Sequence, residues 1–68
     1  MKETNLAEYF DKKIEFHTKL HTIAKEAMVE AYENKSIDGV TQWGNIMSEE
    51  NTIVMTLQIC KRDLVVNK

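Results

Sequence analysis

Thr52-Ile-Val-Met-Thr-Leu-Gln-Ile-Cys60 is the stretch on which the fold turns. In an extended chain Ile53, Met55, Leu57 and Ile59 point to one face, and Thr52, Val54, Thr56, Gln58 and Cys60 to the other. Strict alternation with β-branched enrichment predicts a strand. Just upstream, Ser48-Glu-Glu-Asn51 has the polarity and length of a hairpin turn. Before it, Val40–Met47 predicts a weaker strand with Val40, Trp43, Ile46 and Met47 as its apolar members. Gly44 inside it marks a bulge or a close approach by another side chain. Ile37-Asp-Gly39 is a turn signal. Downstream, Lys61-Arg-Asp63 is a polar break. Leu64-Val-Val66 fits a continued strand, a third short strand or a packed tail.

Residues 5–34 carry a different period. At 100° per residue, Phe10, Ile14, Phe16, His17, Leu20, His21, Ile23, Ala24, Ala27 and Met28 fall on one side. Glu8, Asp11, Lys12, Glu15, Lys19, Glu26, Glu30 and Glu33 fall on the other. Glu8–Lys12 and Glu15–Lys19 have the favourable i,i+4 order. Asn5 followed by Glu8 resembles a capping box, and Asn34 suits the left-handed position that ends a helix. No proline or glycine interrupts the chain before Gly39. The reading is a helix of roughly 45 Å after a short polar lead, Met1–Thr4. Its apolar arc of roughly 180° is wider than the ~100° that one core needs. The fold class is therefore α+β: one long amphipathic helix, a β-hairpin over residues 40–60, and a tail or short strand over 61–68, all in one domain.

A chain of 68 residues is marginal alone, and disulfides, a metal or self-association are the usual remedies. Cys60 is the only cysteine, which excludes an internal disulfide and fits a reducing cytoplasm. The net charge of −2 implies neither a polyanionic nor a polycationic partner. No apolar run is long enough for a membrane span, and the N-terminal stretch lacks the apolar core of a signal peptide.

A two-stranded ribbon about 10 Å wide cannot cover a rod that is apolar over half its circumference. It also leaves both strands as edges. A second copy relieves both problems, so the chain is expected to be a symmetric dimer or higher homo-oligomer. The hairpin covers the stripe of Phe16, Leu20, Ile23 and Ala27. The neighbouring stripe of Phe10, Ile14, His17, His21, Ala24 and Met28, together with Val54 on the opposite face of the second strand, is assigned to the oligomer interface.

His17-Thr-Lys-Leu-His21 places two imidazoles one turn apart, at a spacing that suits two metal ligands. No Glu follows His17, so the zinc-protease pattern is absent, and packing in an interface is preferred to metal binding. Cys60 has no activating base beside it on the same strand face. Trp43, Lys61 and Arg62 are the candidates for contacting a partner or ligand. Lys12-Lys13 and Lys61-Arg62 are interleaved with Asp11, Glu15 and Asp63, which cancels most of their field. With two glycines there is no phosphate-cradling loop, and the serines sit in polar turns.

No catalytic constellation and no cofactor follow from these residues. The expected role is a small non-enzymatic homo-oligomeric interaction protein that binds and modulates another macromolecule. Such a regulator or inhibitor is common among phage and mobile-element proteins. The alternative is a small-ligand binder with pockets between subunits. A third reading, a nucleic-acid regulator using the hairpin, is opposed by the pI near 5.6.

Overall fold

The computed structural model describes residues 2–66, with side chains described for residues 6–64. Two helices run through them: α1, Lys2–Glu33, and α2, Ile37–Lys61, followed by a short π-helical turn, Arg62–Val66. There is no strand among the described residues. The α+β class with its β-hairpin is thus corrected to an all-α helical hairpin. Met1, the last two residues of the predicted tail, and the side chain of the predicted cap Asn5 lie outside the described residues.

The predicted first helix exists, and its backbone starts earlier, at Lys2. Asn5 therefore lies inside it rather than at its cap. The connection after it is three residues long, Asn34–Ser36, towards the short end for antiparallel helix pairs. Ser36 N–H donates to Ala31 O at 2.8 Å, and Lys35 N–H to Tyr32 O at 3.0 Å. This pair of bonds is a Schellman closure, which satisfies two of the last carbonyls of α1. Its left-handed residue is Lys35, at φ 60°, one position beyond the predicted Asn34. Ser36 then caps α2, accepting from Gly39 N–H at 3.1 Å. Ile37-Asp-Gly39 is the first turn of that helix, and Asp38 favours its positive end.

Both predicted strands, and the Ser48–Asn51 turn between them, form one helix because the segment satisfies two periods. Ile53, Met55, Leu57 and Ile59 alternate. Yet Val40, Trp43, Met47, Val54 and Leu57 also recur at spacings of three and four, with Glu50 and Lys61 filling the gaps in that series. Each β-branched residue costs a few tenths of a kcal/mol in a helix. Burying a whole stripe against α1 outweighs that. The nine-residue window reads as a strand only when detached from the series that begins at Val40.

The matching series on α1 is Ala7, Phe10, Ile14, His17, His21, Ala24, Met28 and Ala31. All are buried or half-buried, as are the series residues of α2. Cross-helix contacts run in opposite directions along the two helices: Ala31 beside Gly39, Met28 beside Gly44, His17 with Glu50, Asp11 with Lys61. The pair is an antiparallel coiled coil with a 3.5-residue repeat. A Cβ on Gly44 would stand 3.4 Å from the Met28 sulfur, and one on Gly39 would stand 2.9 Å from Ala31 Cβ. The expected close approach at Gly44 is therefore made by Met28, inside a helix rather than a strand.

The molecule measures 50 × 15 × 10 Å. That length agrees with the roughly 48 Å of a 32-residue helix at 1.5 Å per residue.

Candidate functional site

The interhelical seam is thin. Among the described residues only Phe10, at 7% exposure, and Ala24, at 1%, are buried. The accessible surface of 5302 Å² exceeds the about 4,400 Å² expected of a compact monomer of this mass. Large apolar side chains contribute to that surface, with Tyr9, Phe16 and Ile23 all more than half exposed.

These three belong to a second heptad stripe on α1: Tyr9, Lys13, Phe16, Leu20, Ile23, Ala27 and Glu30. It lies beside the seam stripe, about 110° around the helix. On α2, Ile46, Ile53 and Cys60 repeat every seven residues at the corresponding flanking position. In an antiparallel pair, equivalent flanking positions of the two helices lie on the same side of the seam. Half-burial of Leu20, Ala27, Ile53 and Cys60 marks that side. One flank of the hairpin thus presents an apolar strip running most of its length. The other flank carries Asp11, Thr18, Lys25 and Tyr32 of α1 with Asn51 and Gln58 of α2, all exposed, with exposed Val29 and Met55 beside them, so it is more polar but not free of apolar surface.

The residues assigned from sequence to an oligomer interface are placed elsewhere. Phe10, Ile14, His17, His21, Ala24 and Met28 line the seam, and Val54 belongs to the facing series on α2. The cover that a second copy was expected to give this stripe is supplied by the chain's own second helix. The unpaired strand edges that also argued for a second copy are absent among the described residues, which contain no strand. The surplus apolar arc of α1 remains, now as the Phe16–Ala27 stripe.

His17 and His21 lie in the seam, both half-buried. His17 Nδ1 donates to Glu50 Oε1 at 2.5 Å, with side-chain exposures of 20% and 14%. Among the described residues no cluster of His, Cys, Asp or Glu is arranged to hold a metal ion. A half-buried hydrogen-bonded polar pair in an apolar seam contributes little net stability but disfavours other registers, the role polar seam residues play in coiled coils. Glu50 was read as part of a polar turn. Its place in the spacing-of-three-and-four series is the signal that puts it in the seam.

Of the partner candidates, Trp43 is half-buried in the seam. Lys61 pairs with Asp11 across the open end of the hairpin, and Arg62 pairs with its neighbour Asp63 at 3.2 Å. The three are not brought together. An open hollow at the turn is lined by Tyr32, Ile37 and Val40 among others, with Tyr32 and Ile37 strongly exposed. No helix of the described residues is long and apolar enough to cross a membrane.

Compared with protein-family models, curated proteins and solved structures, the chain finds no match.

Proposed function

We propose that this chain is a small, non-enzymatic interaction protein that works as a homo-oligomer and acts by binding and modulating another macromolecule. The observation that carries the reading is the exposed apolar flank of the hairpin, centred on Phe16 and Ile23. A two-helix unit with two buried side chains among the described residues has a thin core, to which association would add stability. An apolar strip of this length is a protein-docking surface by default. The single cysteine, half-buried and free, supports a reducing compartment, the cytoplasm, as the place of action. Sedimentation equilibrium at tens of micromolar tests the first half of the proposal. The expected mass is at least twice the chain's 7.9 kDa, with a melting temperature that rises with concentration. A compact monomer with a concentration-independent melt overturns it.

A further inference from the structure

The charges along the exposed edge of α1 are segregated. Lys12, Lys13 and Lys19 stand before Ile23, and Glu26, Glu30 and Glu33 after it. Lys13 and Glu30 close the two ends of the apolar stripe. Lys12, Lys19, Glu26 and Glu33 repeat every seven residues along its outer margin. All six are exposed. Lys19 reaches Glu15 at 3.7 Å on the exposed surface, and Lys13 lies over the Tyr9 ring. The three glutamates have no ion-pair partner among the described residues.

We propose that the occupant of this stripe is a second copy of the same chain, docked with its α1 antiparallel to the first, so that Lys13 of each copy meets Glu30 of the other. The inference rests on the homo-oligomeric reading above and specifies its geometry. Aligning Lys13 with the partner's Glu30 fixes the whole register. Phe16 then faces the partner's Ala27, and Leu20 faces the partner's Ile23, so large meets small at the ends and medium meets medium at the centre. On the outer margin Lys19 comes beside the partner's Glu26, and Lys12 beside the partner's Glu33. Every pair recurs with the copies exchanged, as a two-fold axis requires. A parallel arrangement does the reverse: it sets Lys13 on Lys13, Glu30 on Glu30 and Phe16 on Phe16. The charge pattern thus chooses between the two orientations that the apolar stripe alone allows. Ile46 and Ile53 of α2 flank the stripe, so the product is a four-helix bundle with the two α1 helices at its centre.

Charge reversal tests the register. One variant carries Lys13→Glu and Lys19→Glu, a second carries Glu26→Lys and Glu30→Lys, and a third carries all four changes. Sedimentation equilibrium in ~50 mM salt, where exposed charges still act over distance, should show each two-site variant dissociating tenfold or more relative to wild type. Mixing the two in equal amounts should restore association. The four-site variant, which keeps the natural net charge, should associate with itself as wild type does. A zero-length carbodiimide cross-link supplies a second readout. Lys13 and Glu30 of one chain lie about 26 Å apart along the helix, so a cross-link between them joins two copies. Association unaffected by the reversals, or weakened without recovery in the mixture and the four-site variant, overturns this register while leaving the oligomer intact. A wild-type chain that stays monomeric overturns the oligomer and the register together.

Discussion

Helix α1 carries two apolar stripes of the same period side by side, and the one with the more hydrophobic centre is left open. The covered stripe has His17, His21 and Ala24 at its centre. The open stripe has Phe16, Leu20 and Ile23 there, with Lys13 and Glu30 at its ends. Hydrophobicity at the centre of the helix therefore did not choose which stripe α2 buries. The turn did. A Schellman closure at Lys35 followed at once by the Ser36 cap leaves only three residues between the helices. Such a short connection restricts the faces on which α2 can return. The covered stripe also holds the partners that fit an antiparallel neighbour: His17 for Glu50, and small Ala31 against Gly39. A stripe buried within the chain can be thin and partly polar, because the turn holds its partner at high effective concentration. The open stripe has no tethered partner and needs more apolar area to hold a separate chain.

The same substitution placed one residue apart separates the two stripes. Ala24→Asp puts an unpaired carboxylate at the most buried position of the seam. It should cost about 3 kcal/mol or more and abolish helicity and assembly together. Circular dichroism at 222 nm reads this directly, and a variant that stays helical breaks the description of the seam. Ile23→Asp should abolish association while the hairpin remains measurably helical in the cold, with a melt that no longer depends on concentration. A dimer that tolerates Ile23→Asp would show that the open stripe is not the contact.

The seam's polar layer gives a third contrast. Replacing His17 and Glu50 together by leucine should raise stability by about 2 kcal/mol, because the desolvation of the pair is removed and the seam gains apolar contact. Chemical denaturation measures the gain. Leucine at both sites should also loosen the choice of register, visible as broadened amide NMR peaks. Loss of stability in the double variant would mean that the pair contributes more than it costs. The smallest effect belongs to the turn that selects between the stripes. Lys35 holds φ 60° without being glycine. Lys35→Gly should therefore stabilise the hairpin by roughly 0.5–1 kcal/mol, seen as a few degrees in melting temperature.

Helix α1 was legible because its signals agree: more than thirty residues without glycine or proline, well-ordered i,i+4 charge pairs and a sustained 3.6-residue period. Its double-width arc was equally legible, as was the end of the helix near Asn34, although the left-handed residue is Lys35. In the candidate site, Phe16, Leu20, Ile23 and Ala27 were recognised as one stripe and Phe10, Ile14, His17, His21, Ala24 and Met28 as another. Which stripe would be covered was not readable, because the two differ in their partner and not in their period.

The sequence by itself determined one long helix, a break at residues 34–36, and more apolar surface on that helix than one core consumes. All three follow from interactions within a few residues, which composition and spacing record. Only the tertiary structure decided that residues 37–61 are helix. Their β-branched residues and alternation favour a strand locally, and their spacing-of-three-and-four series favours a helix only when there is another helix to bury it. The tertiary structure also decided that Glu50 sits beside His17 and that the Phe16–Ile23 stripe stays open. Both depend on the direction in which a three-residue turn returns the chain, a property of backbone geometry that no pattern of side chains encodes alone.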